Sequence, residues 1–343
     1  MKFRNIILAA LTVLTLCGCF SKDKLLPSVT GSSYEVLVVM NNAPWQSAAG
    51  DTVRKHLEAD MPCLPQVEPM LSISRTPWNE FSDILKPVRN IVLADIDSSK
   101  YTQPKVKYLR DRWAHPQAVV QIQAPDNASF AEAYSQAAQH ITNYFIDCEL
   151  ERQHDFYRKH FTNAEAHKTL LRKFDIDIHI PNDMAASTDT TDFFWITDTK
   201  GRVRRDIMIY TLPYTSADDL TLQGLINKRD SICRLYIHGR DDSSYIATEW
   251  KHIPPIMRQI TVDSAYCAEV RGLWRMENGD AMGGPFVMNA RITPDGRKIL
   301  VAEGFCFGPG QKKRNPLRQL EAVIRGMKFF NKDNTAAKQE TEQ

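Results

Sequence analysis

The residues best suited to bind a charged ligand lie between Glu269 and Asp280, in the run E-V-R-G-L-W-R-M-E-N-G-D. Arg271 and Arg275 alternate with carboxylates and apolar residues at a spacing of two, so a β-strand would place the charged side chains on one face. Guanidinium groups pair with carboxylates in a bidentate geometry, and Trp274 and Asp280 lie beside them in sequence. The pattern predicts a binding site for an anion or a peptide carboxylate, made by Arg271, Trp274, Arg275 and Asp280.

The same alternation has a second interpretation, a ladder of cross-strand salt bridges on a solvated face. The following segment, G-D-A-M-G-G-P at residues 279–285, resembles the sequence around the nucleophile of chymotrypsin-like proteases. Ala281 stands where that motif has its serine, and Met282 is inserted after it, so no hydroxyl is available to attack a carbonyl carbon. We therefore predict no catalytic residue here.

A second polar alternation occurs at Asp175, Asp177 and His179, with isoleucines between them. These side chains have metal-ligand chemistry, but a half-buried strand that turns its polar face to water explains the same pattern and is the interpretation we favour. The sequence also contains no phosphate-binding loop and no dinucleotide-binding glycine motif. We predict no metal site and no cofactor.

The first residues of the chain have the pattern of a secretory signal. Lys2 and Arg4 precede an uncharged, mainly apolar run over residues 6–16, and the small residue Gly18 follows. This order of basic, apolar and small residues indicates a signal peptide over residues 1–18. The run L-C-G-C resembles the lipobox of bacterial lipoproteins, which predicts Cys19 as the lipid-attachment residue.

Lipid attachment at Cys19 would anchor the mature protein to a membrane. A diacylglycerol thioether together with a further acyl chain is enough for stable anchoring. The polar residues 19–33, which include Pro27 and Gly31, are predicted as a lipidated tether. The location that follows is the cell envelope, and Phe20, in place of aspartate after the lipidated cysteine, favours the outer membrane.

The net charge argues against a nucleic-acid-binding protein, and the cysteines argue against a fold held by a disulfide framework. Removal of Lys2 and Arg4 with the signal peptide reduces the 43 basic residues to 41, which equals the number of acidic residues. A neutral body argues against a nucleic-acid partner. The five other cysteines are odd in number and widely spaced, so they form no disulfide framework, and any pairing among them stays open. They are Cys63, Cys148, Cys233, Cys267 and Cys306.

The elements of the chain divide into two parts. Residues 34–174 alternate strand and helix patterns and end in a helical connector, whereas residues 175–331 contain hairpin signals such as Asn278-Gly279. The second part is predicted as a curved antiparallel sheet with helices packed on one face. Residues 332–343 are polar and predicted as a disordered tail. The fold class is α+β.

The runs R-G-L-W-R-M-E-N-G-D-A-M-G-G-P-F at residues 271–286 and K-R-N-P-L-R-Q-L-E-A at residues 313–322 carry a resemblance. With K-R-D-S at 228–231 and the S-Y-x-x-T-E run at 244–249, they are similar to a Gram-negative envelope lipoprotein family of unknown function, which has a Gly-Leu-Trp motif. The resemblance implies a lipoprotein with a two-part fold. It implies no catalytic residues.

Two functional hypotheses remain. The first is a lipid-anchored binding or structural module of the cell envelope, whose partners are the membrane and an envelope protein, glycan or peptide. The alternative is a hydrolase of an envelope glycan or peptide, with Glu269, Glu277 or Asp280 as acid and base. The alternative requires two of these carboxylates to lie together in a cleft.

Overall fold

The computed structural model describes residues 26–198, 200–241 and 243–330, which form two lobes, each built on its own β-sheet. The N-lobe comprises residues 26–160, and the C-lobe comprises the described residues from 161 to 330. Helices and strands are mixed in both lobes, which confirms the predicted α+β class. The predicted signal peptide, Cys19 and the predicted tail lie outside the described residues.

The N-lobe sheet is mainly parallel. Its strands are β1 (Glu35–Val39), β2 (Ser72–Thr76), β3 (Asn90–Ile96), β4 (Lys105–Arg110) and β5 (Ala118–Ala124). They lie in the order β2-β1-β3-β5-β4, and only β4 is antiparallel to its neighbour. Strands β1 and β3 are buried on both faces, which explains their nearly continuous apolar sequences.

Three helices follow the strands of the N-lobe. They are α1 (Asn42–Trp45), α2 (Ala48–Leu57) and α3 (Asn127–His160). Helix α3 begins at the N-cap Asp126, whose carboxylate accepts a hydrogen bond from the Ser129 amide at 2.9 Å. Its apolar residues, including Phe130 and Phe145, recur at helical spacing and pack with α2 against one face of the sheet.

The C-lobe sheet is antiparallel and has eight strands. They are β7 (Ala185–Asp189), β8 (Phe193–Asp198), β9 (Arg204–Pro213), β10 (Tyr245–Glu249), β11 (Ile256–Val262), β12 (Ala265–Glu277), β13 (Gly283–Ile292) and β14 (Lys298–Phe307). The order is β10-β12-β13-β14-β9-β8-β7, and β11 pairs with the other half of the long strand β12. Two short strands, β6 (Ile176–Asp177) and β15 (Lys328–Phe329), pair separately.

Helices cover both faces of the C-lobe sheet, so the prediction of helices on one face is wrong. The helices are α4 (Ala164–Phe174), α5 (Leu222–Tyr236) and α6 (Arg314–Arg325). Helices α4 and α6 pack on one face, and α5 packs on the other. Successive residues of a strand point to opposite faces, and β14 contacts a helix on each side. Glu303 accepts a hydrogen bond from Arg229 of α5, whereas its neighbour Gly304 lies under Leu320 of α6.

Helix α6 is held between the lobes by a buried carboxylate of the N-lobe. Glu68 accepts hydrogen bonds from the amides of Lys313 at 2.6 Å and Arg314 at 3.2 Å. A carboxylate at a helix N-terminus satisfies amides that have no partner within the helix and interacts favourably with the helix dipole. This contact fixes α6 relative to the N-lobe, and Ala322 in its middle packs into the N-lobe core.

Two turns connect the central strands of the C-lobe, and the first forms at the predicted Asn278-Gly279. Asn278 has a φ of 52° between β12 and β13, and Gly296 has a φ of 71° between β13 and β14. Each supplies the left-handed conformation that a tight antiparallel connection needs. The five cysteines of the described residues are all buried free thiols.

Candidate functional site

A cleft of about 1250 Å³ lies between the two lobes. Its walls are formed by the C-terminal half of α3 from the N-lobe and by β11, β12 and α6 from the C-lobe. Pockets for small molecules usually measure about 300–1,000 Å³, so this interlobe cleft has room for a short peptide or oligosaccharide.

Strand β12 presents Glu269 and Arg271 to the interlobe cleft. Alternate residues of a strand point to the same face. Val270 and Trp274, at the other positions of the alternation, lie in the core on the opposite face. The predicted period of two is therefore confirmed. The interpretation as a solvated salt-bridge ladder is wrong at this end of β12, because Glu269 is 0% and Arg271 is 5% exposed.

Two buried carboxylates connect a set of arginines along the cleft wall. Glu269 Oε1 accepts hydrogen bonds from Arg258 Nε at 2.6 Å and from Arg271 Nε at 2.9 Å. Glu321 Oε1 lies 2.5 Å from Arg271 Nη2, and its Oε2 lies 2.7 Å from Arg318 Nη1. Arg271 thus bridges the carboxylates of a strand and a helix.

A fourth arginine connects this network to the opposite wall of the cleft. Arg325 Nη1 lies 2.7 Å from Asp147 Oδ1 on α3, and its Nη2 lies 3.5 Å from Glu269 Oε2. Four guanidinium groups and three carboxylates then form one connected arginine network with one positive charge in excess. Its members are Arg258, Arg271, Arg318, Arg325, Glu269, Glu321 and Asp147.

The arginine network does not satisfy all of its own hydrogen-bonding groups. Arg271 Nη1 and Arg318 Nε are buried without a hydrogen-bond partner among the described residues. Buried donors are nearly always paired, because an unpaired one loses its hydration without compensation. Both residues line the interlobe cleft, so an acceptor held there could pair with these two donors. Among the described residues, Arg325 Nε and the acceptor Glu269 Oε2 also lack hydrogen-bond partners.

The arginines keep both buried glutamates ionised. Burial alone would raise the pKa of Glu321, but the positive charges of Arg271, Arg318 and Arg325 outweigh it and hold the pKa well below its usual range. Burial also acts to raise the pKa of Glu269, and there Arg271 and Arg258 prevail, so that its pKa is lowered too. Glu321 and Glu269 are therefore ionised near neutral pH.

The structure does not bring the four predicted ligand-binding residues together. Arg271 lies in the interlobe cleft, whereas Trp274 is buried on the other face of β12 and donates its indole N–H to the Cys306 carbonyl at 3.1 Å. Arg275 is half-exposed and pairs with Glu277 at 2.5 Å. Asp280 is exposed in the turn after β12, 3.7 Å from Arg240. Ligand binding by these residues stays a prediction.

The carboxylates of the hydrolase alternative are also separated. Glu269 is buried in the arginine network, Glu277 pairs with Arg275, and Asp280 lies near Arg240. Of the three, only Glu269 lines the interlobe cleft, and it is held as an ionised partner of arginines. No pair of them has the common cleft that acid and base catalysis would need.

The interpretation of the sequence missed most of the arginine network. Arg318, Glu321 and Arg325 follow one another at spacings of three and four, which places them on one face of α6. The pattern was visible, but the apolar stripe of the same helix was the stronger signal. Arg258 on β11 gave no such signal, because its role depends on the register that places it opposite Glu269.

The alternation at residues 175–180 forms as predicted on its apolar side. Ile176, Ile178 and Ile180 are buried in the C-lobe core. Asp177 and His179, on the other side, line the interlobe cleft. Helix α4 contributes His167 beside them, with its Nε2 2.8 Å from Asp177 Oδ1.

The described residues do not include the predicted lipid-attachment site. Cys19 lies before the first described residue. Among residues 26–330, apart from the two that are not described, no helix combines the length and apolar character required to cross a bilayer.

Comparison with known proteins finds matches to two parts of the chain. Two domain families of unknown function match this chain. One is the domain of unknown function DUF8532, over residues 29–158, and the other is DUF4837, over residues 163–326. The two matched regions meet where α3 ends, so each covers one lobe. No curated protein matches the sequence significantly.

Solved structures resemble only part of the chain. They include a protein from Bacteroides thetaiotaomicron VPI-5482, with 12% identity, a TM-score of 0.26 and coverage of 46% of either chain. The Ran-binding protein Mog1p of Saccharomyces cerevisiae has 9% identity and a TM-score of 0.32, covering 46% of this chain and 92% of its own. Cyanobacterial PsbP from Synechocystis sp. PCC 6803 has 12% identity and a TM-score of 0.30, covering 45% and 86%. The chain thus spans less than half of the Bacteroides protein.

Proposed function

We propose that this protein is a lipid-anchored module of the cell envelope that binds an anionic ligand in the interlobe cleft. The ligand class is a peptide or glycan that carries a carboxylate. Arg258, Arg271 and Arg325 would hold the carboxylate, and the rest of the cleft would hold the chain that bears it. The anchor is the lipid on Cys19, and the outer membrane is the proposed location.

The observation that carries the ligand class is the unpaired Nη1 of Arg271. This guanidinium is almost fully buried, lines the cleft, and uses only its Nε and Nη2 to pair with protein carboxylates. A carboxylate in the cleft would accept from Nη1 and from the more exposed Arg258, giving charge-assisted hydrogen bonds away from bulk water. The arginine network has one positive charge in excess, which favours a negatively charged ligand beside it.

The size and position of the cleft support an extended ligand. The volume of about 1250 Å³ exceeds that needed for an inorganic anion or a single amino acid. Its walls come from both lobes, so a bound chain would contact residues of both domain families. A module tethered in the envelope has peptides and glycans of this kind within reach.

The ligand class is tested with two probes that differ only in charge. The purified full-length protein in detergent is heated with N-acetyl-Ala-Ala bearing a free C-terminal carboxylate, or with the same peptide as its C-terminal amide. We expect the acid to raise the melting temperature, since a ligand that binds only the folded state stabilises it, and the amide to have no effect. Equal shifts with the two peptides, or none with either, would refute a carboxylate site.

The anchor is tested by the Cys19→Ala variant. We expect this variant to lose its acyl chains, measured by mass spectrometry, and to leave the membrane fraction. Cys17→Ala is the matched control, because it removes a neighbouring thiol from the segment that is predicted to be cleaved. A Cys19→Ala protein that stays acylated and membrane-bound would contradict the assignment.

A further inference from the structure

A second cluster of polar side chains borders the interlobe cleft through Asp177 and His179, apart from the arginine network. His167 Nε2 lies 2.8 Å from Asp177 Oδ1, and His179 Nε2 lies 3.3 Å from the same oxygen. One ligand atom from each of the three residues lies within 4.8 Å of the other two. The two imidazole rings are stacked, with centroids 5.0 Å apart and an interplanar angle of 11°.

The fold holds these three residues together from two elements. Helix α4 ends at Phe174, and Asp175 takes a left-handed conformation with a φ of 51°, which reverses the chain into β6. The chain from β6 onwards then runs back along the helix, and its buried isoleucines fix which side chains face the cleft. His167, ten residues before Asp177, is brought beside it by this reversal.

A hydrogen bond between its ring and the Thr162 hydroxyl orients His179. Its Nδ1 lies 3.2 Å from the hydroxyl oxygen of Thr162, and that hydroxyl lies 2.7 Å from the Tyr157 carbonyl oxygen. The hydroxyl has one hydrogen, which it donates to the carbonyl, so towards His179 it accepts and the ring carries its hydrogen on Nδ1. The lone pair of Nε2 then points towards a carboxylate oxygen, an arrangement that a cation between them would stabilise.

We propose that His167, Asp177 and His179 form a binding site for a divalent transition-metal ion, with Zn²⁺ as the best match. Zinc takes imidazole nitrogen and carboxylate oxygen at about 2.0–2.2 Å, so neighbouring ligand atoms of a tetrahedral site lie about 3.3 Å apart. The 2.8 Å and 3.3 Å separations are close to this spacing. Three protein ligands leave a fourth position, which opens to the cleft because Asp177 and His179 line it.

The site is tested by titrating the purified full-length protein with Zn²⁺ in a calorimeter, after removal of metal with a chelator. The purification tag contains no histidine. We expect one Zn²⁺ to bind per chain, and His167→Ala/His179→Ala to weaken binding at least 100-fold. His252→Ala is the matched control, since His252 also lies beside a carboxylate, 3.3 Å from Glu249, but belongs to no group of three metal-ligating side chains among the described residues. Its affinity should equal that of the wild type.

Two further variants guard against a loss of folding. Asp177→Asn keeps the size of the side chain and should also lower the affinity at least 100-fold. Thr162→Val keeps all three ligands and should weaken Zn²⁺ binding by about 10–100-fold, as loss of an outer-shell hydrogen bond does at other sites. A wild-type protein that binds no Zn²⁺, or a folded Asp177→Asn protein with unchanged affinity, would overturn the proposal.

Discussion

Glu321 is the residue on which the charge balance of the cleft depends. It lies on α6, is fully buried, and accepts hydrogen bonds from Arg271 and Arg318, while Arg325 is nearby. The carboxylate offsets the cost of burying these guanidinium groups. Removing one member of a buried ionic network is costly, because its partners are left buried and charged.

Glu321→Gln should therefore destabilise the protein by roughly 3–5 kcal/mol at neutral pH, the usual cost of breaking a buried ion pair. The free energy of unfolding is measured by urea denaturation. Glu277→Gln is the matched control, because Glu277 lies on β12 in a more exposed pair with Arg275, and it should cost less than about 1 kcal/mol. Equal losses in the two variants would contradict the importance of the buried network.

The pH dependence of stability should show the same carboxylates. The pKa values of Glu321 and Glu269 are lowered in the folded state below the ordinary 4.5. Groups with a lowered folded pKa contribute stability that is complete above the unfolded pKa and is lost as the pH falls. We expect wild-type stability to decrease as the pH is lowered below 4.5, and Glu321→Gln to lose less over the same range. Parallel pH profiles would contradict this assignment.

For single residues, the sequence predicted which side chains of β12 are charged, but it did not predict what surrounds them. The charged face of β12 follows from its period of two, and Arg271 was identified as a candidate binding residue on that basis. Whether that face of β12 meets water or a charged helix depends on α6, since Glu321 lies 50 residues after Arg271 in the chain. Trp274 and Asp280 were near Arg271 in sequence, but strand alternation and the following turn carry them elsewhere.

Helix α6 is the element that assembles the cleft. It carries Arg318, Glu321 and Arg325, it receives Glu68 of the N-lobe at its first residues, and it rests on β14. The close approach to β14 depends on Gly304, since a Cβ atom there would lie 2.6 Å from Leu320 Cβ. Small shifts of α6 would therefore displace three members of the arginine network at once.

Gly304→Ala should push α6 away from the sheet and lower the free energy of unfolding by about 1–3 kcal/mol, the usual effect of overpacking a core. Denaturant unfolding measures the loss. In Gly304→Ala/Leu320→Gly the Cβ atom that the new methyl group would meet is removed, so the two losses should be less than additive. Strict additivity, or no destabilisation by Gly304→Ala, would show that the glycine is not needed for this contact.

Turns and helices were predictable because each depends on residues that are close together in the sequence. The Asn278-Gly279 and Asp295-Gly296 turns and the apolar stripe of α6 follow from backbone and side-chain rules within a few residues. The placement of α5 and α6 on opposite faces was not predictable in this way. A central strand such as β14, buried on both faces, carries an almost continuous apolar sequence, which does not state which helix covers which face.

At the scale of the whole molecule, the two lobes meet at one cleft. The N-lobe supplies α3 and Asp147, and the C-lobe supplies β11, β12 and α6. Neither lobe forms the cleft alone, and the predicted division of the chain after residue 174 gave no sign of a site between its two parts. The proposed metal site and the arginine network border the same cleft. A ligand bound along the cleft would therefore contact both the cation and the positively charged arginine network.

The central claim is that the arginine network, and not the exposed charged end of β12, binds the ligand. Calorimetric titration of N-acetyl-Ala-Ala, as the free acid, into the full-length protein tests it with two single variants. Arg258 and Arg275 have nearly equal side-chain exposure, 44% and 45%, and both pair with glutamates, but only Arg258 lines the cleft. We expect Arg258→Ala to weaken binding about tenfold, the effect of roughly 1.4 kcal/mol from one charge-assisted contact, and Arg275→Ala to leave it unchanged. Unchanged affinity in Arg258→Ala, or an equal loss in Arg275→Ala, would contradict the account.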